Sequence, residues 1–176
     1  YNLDLSNVTL PCIARVTYSD STGQHQLHSL AKTAGTVNIT PITDAVVANL
    51  SATGAAADAF DALNANEIKS YSEARVSTAT QAVKKHLETL GVDTSALTDD
   101  VIGTRFTATH GSTKGDRHDE VLDDLKSRLE EHHKSLKDIE NEIERKKMIN
   151  FDLKNYTQAA IELAKGNDAQ VNECFE

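Results

Sequence analysis

The chain has 176 residues, with 18 Lys and Arg against 27 Asp and Glu, and its formal net charge is -9. This length suits one domain with a sizeable core. The acidic balance argues against nucleic acid or an anionic membrane as the main partner, because both repel a negatively charged protein. No segment approaches the roughly 20 apolar residues of a transmembrane helix, and the N-terminus lacks the pattern of a signal peptide. We therefore expect no transmembrane segment and a mature form or an excised domain.

The first forty residues alternate apolar and polar side chains, the period of β-strands. The alternation runs through Leu3, Leu5, Val8 and Leu10 and continues over residues 12–18. A turn at residues 20–23 then returns the chain as the second arm of a hairpin. One more short strand is predicted at Val37 and Ile39. Residues 1–40 are thus predicted to form a small antiparallel sheet of three or four strands.

From residue 41 onward the apolar period becomes helical. Thr40 and Pro41 suit the N-cap and first turn of a helix, which is predicted over Ile42 to Leu50. An alanine-rich second helix is predicted over residues 55–63 and a continuous third over residues 66–90. Thr98 is expected to cap a short turn that ends at Ile102. The Gly-rich stretch at residues 103–115 is expected to be a mobile loop.

The most regular pattern is an apolar stripe in alternating steps of three and four residues, here called the long stripe. It predicts one unbroken helix from about Asp116 to Leu153, whose first half packs against the third helix. Its polar end, from Lys146 through Asn150, then needs another subunit as its partner. The long stripe consists of Leu122, Leu125, Leu129, His132, Leu136, Ile139, Ile143, Lys146, Asn150 and Leu153.

These elements predict an α+β fold, with a small antiparallel β-sheet at the N-terminus followed by a helical bundle that contains one long helix. The β element is assigned to residues 1–40 and the bundle to residues 41–176, as one compact unit.

Two cysteines lie near opposite ends of the chain, at Cys12 and Cys174. A disulfide between them would close a loop of roughly 160 residues, which the chain-entropy relation values at about 4 to 5 kcal/mol. This pairing is our first interpretation. Two unpaired thiols, or an intermolecular bond through Cys174, are the alternatives.

The residues that could serve catalysis or metal binding fit structural roles better. Neighbouring helical residues point about 100° apart, so His132 and His133 do not easily share one ion, and no helical pair of histidines four residues apart occurs. His132 is interpreted as a polar position of the long stripe that sets helix register, and His133 as solvated. No nucleophile elbow or phosphate-binding glycine motif is present. We therefore expect neither an enzyme nor a bound cofactor.

Residues 35–50, GTVNITPITDAVVANL, resemble a segment of large secreted or surface-anchored bacterial lipoproteins. In those proteins a β module ends in a Thr-Pro-Leu-Thr type of turn and an apolar helix follows. The resemblance implies an envelope or extracellular location, and it supplies no active site.

Two functional hypotheses follow. The first is a non-enzymatic extracellular or cell-surface structural or adhesive protein, a self-assembling filament subunit that uses N-terminal strand addition and whose partner is another copy or another surface protein. The alternative is a soluble secreted module that holds a small ligand, a metal or haem between its helices. The predicted interface consists of Leu3, Leu5, Val8, Leu10, Lys146, Asn150 and Leu153.

Overall fold

The structure is a computed structural model, and it describes residues 7–21, 23–62 and 65–147. A two-stranded antiparallel sheet precedes a series of helices, which confirms the α+β fold class. The chain divides into two units, Tyr1–Asn141 and Glu142–Glu176. The elements are β1 (Cys12–Asp20), β2 (Gly23–Ala31), α1 (Pro41–Leu50), α2 (Ala56–Asp61), α3 (Ala65–Lys69), α4 (Glu73–Thr89), a 3-10 turn (Thr94–Ala96) and α5 (Arg117–Glu131), and residues 136–147 are helical again.

The predicted hairpin is confirmed. Ile13 lies opposite Leu30, and Asp20 lies opposite Gly23 across the turn. Gly23 has a φ of 133°, a backbone conformation that L side chains rarely adopt, so glycine is required there. The second half of β2 is buried on both faces, because α1 and α2 pack on it.

The other predicted strands are not formed in the described residues. Residues 7–11 are irregular, and Pro11 has no N–H to donate to a ladder. Residues 36–39 are also irregular, because Asn38 forms hydrogen bonds with the loop at residues 101–104 instead of with a neighbouring strand. Its backbone N–H donates to Ile102 O at 2.7 Å, and its side-chain amide donates to Val101 O at 3.0 Å and Thr104 O at 2.7 Å.

Helix α1 begins as the sequence predicts and forms the centre of the core. The Thr40 hydroxyl accepts the Thr43 N–H at 3.2 Å, and the Thr43 hydroxyl accepts the Thr40 N–H at 2.9 Å, which completes a capping box. Pro41 occupies the first helical position. Helices α2 and α4 and strand β2 all pack against α1, so that Ile42, Val46 and Val47 are fully buried.

The continuous third helix was a wrong prediction. The chain leaves helical geometry after Lys69 and begins α4 at Glu73, where the Ser72 side chain accepts the Arg75 N–H at 3.3 Å as an N-cap. Its predicted partner is also wrong, since α4 packs chiefly on α1 whereas α5 contacts the 3-10 turn. Asp93 caps the 3-10 turn, which was not predicted. The predicted turn after Thr98 is present at residues 101–103, and the Thr98 hydroxyl donates to Asp100 O at 3.0 Å.

The unbroken long helix was wrong as well. Helix α5 ends at Glu131, and His133 adopts a left-handed conformation with a φ of 51°. A second capping arrangement restarts the helix: Asp138 Oδ2 accepts the Ser135 N–H at 2.7 Å, and Ser135 Oγ accepts the Asp138 N–H at 3.3 Å. His132 is exposed at the end of α5 and so does not set the register of a buried stripe.

The stretch predicted as a mobile loop follows an irregular path that is tied to the start of α5. Asp116 accepts the Thr107 N–H at 2.7 Å, and Asp119 Oδ2 accepts the Thr109 N–H at 2.8 Å. Phe106 stacks on His118 with ring centroids 4.4 Å apart. Burial lowers the pKa of His118, and the negative charges of Asp116 and Asp119 offset only part of this shift. The mobility of this loop stays a prediction.

Candidate functional site

A cavity of about 690 Å³ opens within the first unit, and it is called the main cavity here. It is bounded by the turn end of the hairpin, the starts of α1 and α2, helix α5, and the first residues of the helix that begins at residue 136. Its volume lies within the usual range for small-molecule sites. A second cavity of about 450 Å³ contains the exposed acids Glu73, Asp99 and Asp100, and no buried ionisable group is among its described lining residues.

One wall of the main cavity is apolar, and it is built from the long stripe. Leu122, Leu125, Leu129 and Leu136 all line it, and we call them the leucine wall. Leu125 is buried, whereas the other three are only partly covered. The periodicity that predicted a helix–helix contact therefore belongs to a helix face that borders a cavity.

Two carboxylates with little solvent access, Asp44 and Glu140, also line the main cavity and are called the acidic pair. Asp44 is 6% exposed and Glu140 is 7% exposed, and their side chains are hydrogen-bonded to each other. Burial raises the pKa of Glu140 from an ordinary 4.5 to about 7. The hydrogen bond from Lys137 opposes this rise, and the hydrogen bond and negative charge of Asp44 reinforce it. The pKa of Glu140 therefore lies near neutral pH.

A chain of polar contacts fixes the position of Asp44. Its Oδ1 accepts the backbone N–H of His28 at 2.7 Å and lies 2.7 Å from His28 Nδ1. Arg15 Nε donates to His28 Nε2 at 2.9 Å, so Nε2 is the acceptor and Nδ1 carries the proton. Arg15 is itself held over the Phe60 ring at 3.9 Å and pairs with Asp61 at 2.6 Å. Both nitrogens of His28 are therefore occupied.

Glu140 has a different partner. Lys137 Nζ lies 2.9 Å from Glu140 Oε2, one helical turn away on the same helix. The Lys137 side chain is 57% exposed, so most of it stays in contact with solvent. The ion pair is therefore only partly desolvated and is weak.

The charges that line the main cavity are predominantly negative. Among the described residues, six carboxylates and three lysines contribute to its surface, along with two histidines. The carboxylates are Asp20, Asp44, Asp58, Asp123, Glu130 and Glu140, and the lysines are Lys126, Lys134 and Lys137.

The predicted interface stays a prediction, because only three of its residues fall within the described part of the chain. Val8 is 42% exposed on an irregular segment, Leu10 is half-buried, and Lys146 is exposed on a helix. Leu3, Leu5, Asn150 and Leu153 lie outside the described residues.

The cysteine pairing stays a prediction. Cys12 is half-buried at the start of β1 and has no disulfide within the described part of the chain, and burial raises the pKa of its thiol. Cys174 lies outside that part.

A second surface is the outer edge of β1. Within residues 7–21, 23–62 and 65–147, β1 pairs with β2 only. Val16 and Tyr18 are 41% and 40% exposed on this strand, and Tyr18 stacks on His25 with centroids 5.2 Å apart. An open edge with exposed apolar side chains suits the addition of another strand.

Metal and membrane criteria add two findings. Among the residues whose positions are described, no three or more His, Cys, Asp or Glu side chains are grouped to hold a metal ion. In the same residues, no helix combines the length and apolar character that crossing a membrane requires.

Sequence reasoning did not identify the acidic pair. Asp44 carried a signal, because it is an acid within the otherwise apolar run of α1, and such a residue needs a buried partner. Glu140 carried none, since its partner depends on how the chain turns at residues 132–135. No protein family, curated protein or solved structure matches this chain.

Proposed function

We propose that this chain is a non-enzymatic secreted or cell-surface module that binds a small ligand in the main cavity. The observation that carries the proposal is the cavity itself, which both the leucine wall and a buried acidic pair line. An apolar pocket with a few converging polar groups is the usual form of a small-molecule site. The raised pKa of Glu140 adds support, since perturbed carboxyl groups concentrate at functional sites.

The contacts of His28 fit a structural role better than that of a general base. A general base needs a free lone pair within reach of its substrate, and Arg15 already occupies Nε2 of His28. The location outside the cytoplasm is supported by the resemblance of residues 35–50 to surface-anchored lipoproteins.

Fragment screening by NMR tests the proposal on the full chain. With leucine methyl groups labelled, bound fragments should shift Leu122, Leu129 and Leu136 together, because these residues share one wall. Gln26→Trp places a large ring on a lining position and should abolish the shifts. Gln24→Trp, on the same face of β2 but outside the cavity lining, is the matched control. A screen in which no fragment shifts these leucines contradicts a small-ligand function.

Subunit association remains a second candidate, favoured by the open edge of β1 with exposed Val16 and Tyr18. Because residues 7–11 are not a strand, the hypothesis now places the acceptor edge on β1, and residues 1–10 remain the proposed donor. Light scattering with and without reductant should find assemblies that Val16→Asp disperses and that deletion of residues 1–10 prevents. A monomer under both conditions contradicts this candidate.

A further inference from the structure

We propose that the ligand of the main cavity is a small organic cation, an amine whose ammonium group binds the acidic pair while its apolar body lies along the leucine wall. This inference rests on the proposed function and specifies the chemical class of the ligand.

The acidic pair needs a positive countercharge, and the described fold provides it through a largely exposed lysine. Ionised carboxylates removed from water are costly unless a cation and hydrogen bonds compensate them. Asp44 receives its hydrogen bonds from His28, whose Nε2 accepts from Arg15. The one cation in direct contact with Glu140 among the described residues is the half-exposed Lys137.

Lys137 indicates how a ligand would be held. Its ammonium lies 2.9 Å from Glu140 Oε2, so the cavity surface already accepts a primary ammonium at this carboxylate. An exposed lysine gains little from such a pair and can swing into solvent. A ligand ammonium whose apolar body is also buried against the leucine wall gains more than Lys137 does, so it can displace Lys137 from Glu140.

The remaining lining selects the sign of the ligand charge. Six carboxylates against three lysines make the described surface of the cavity net negative when all are ionised. Such a field attracts cations and repels anions. The leucine wall adds an apolar contact, which favours an amine with a hydrocarbon body over a small inorganic cation.

Three matched probes test the inference: 4-phenylbutylamine, 4-phenylbutan-1-ol and 4-phenylbutyrate, titrated calorimetrically into the full chain at pH 8. They share one apolar body and differ in the charge of the polar end. We expect the amine to bind at least about tenfold more tightly than the alcohol, which corresponds to roughly 1.4 kcal/mol. The carboxylate should bind most weakly.

Two variants with opposite expected signs locate the ammonium. Glu140→Gln should reduce amine affinity about tenfold and leave the alcohol nearly unchanged. Lys137→Met should tighten amine binding, because it removes the competing ammonium. Exposed Glu120→Gln and Lys85→Met carry the same charge changes outside the cavity lining and should have little effect. Circular dichroism checks that each variant is folded, and Lys137→Met keeps the test decisive if Glu140→Gln does not fold.

The outcomes separate the two proposals. Equal affinity for amine and alcohol, tighter binding of the carboxylate, or weaker amine binding by Lys137→Met overturns the cation inference. If no probe binds while other fragments shift the methyl signals of the leucine wall, the ligand class is wrong and the binding function stands. If nothing shifts the wall, both proposals fail.

Discussion

Helix α1 and residues 117–147 were predicted from equally clear patterns, and only α1 formed as predicted. In α1 the start is marked by a capping box and Pro41, and every neighbouring element packs on the helix. Along residues 117–147 the apolar period continues smoothly through a turn at residues 132–135. The comparison shows that periodicity reports which face is apolar, whereas caps decide where a helix begins and ends.

The largest expected effect is the loss of stability when the buried acid of α1 is replaced, compared with the loss when a surface acid of α5 is replaced. Asp44→Ala leaves His28 Nδ1 and its backbone N–H without their acceptor, and should lower the free energy of unfolding by about 4 kcal/mol. Asp124→Ala removes a solvated pair with Arg128 at 3.4 Å and should cost only a few tenths of a kcal/mol. Urea denaturation measures both, and similar losses would contradict the assigned burial of Asp44.

The second effect is a pH dependence of the free energy of unfolding. It arises at the acidic pair, which joins α1 to the helix that begins at residue 136. Because the pKa of Glu140 is raised from 4.5 to about 7, its contribution to stability is fully present below pH 4.5 and is lost as the pH rises through about 7. Across this window the wild type should lose up to about 3 kcal/mol relative to Glu140→Gln. Parallel pH curves for the two proteins would show that Glu140 is not perturbed.

Caps should matter at both starts. Thr40→Val and Ser135→Ala each remove one half of a capping arrangement, and each should cost about 1 kcal/mol. If Ser135→Ala had no effect while Thr40→Val did, the restart at residue 136 would not depend on its cap. Thermal melts of the two variants, measured side by side, decide this point.

The smallest effect distinguishes a turn from a continuous helix by its sign. His133 has a φ of 51°, so His133→Gly should stabilise the protein by about 0.5 to 1 kcal/mol. In an unbroken helix, the same substitution would destabilise by a similar amount. His132→Gly, at a position with a φ of -90°, is the control and should not stabilise.

The sequence was sufficient for features determined locally. The hairpin turn at Asp20 to Gly23 and the start of α1 depend on residues within a few positions of each other, and both were predicted correctly. The restart at Ser135 also has a local signal, since Ser135 and Asp138 have capping-box spacing, but the apolar period runs through this point and predicts a continuous helix.

The site was not predictable to the same degree. Leu122, Leu129 and Leu136 could be assigned to an apolar face, yet periodicity does not tell whether a cavity or a helix covers that face. The contact between Asp44 and Glu140 joins residues far apart in the chain, and it depends on the turn that the sequence interpretation omitted.

The hydrogen bonds from Asn38 to the loop at residues 101–104 have a consequence for producing the protein. Asn38, Ile39 and Thr40 read as an acceptor for N-linked glycosylation. In the fold, the Asn38 amide donates to Val101 O and Thr104 O, and the Thr40 hydroxyl caps α1. A glycan on Asn38 and this fold therefore exclude each other. In a host that glycosylates nascent chains, the fraction of chains with a glycan at Asn38 would therefore equal the fraction modified before folding.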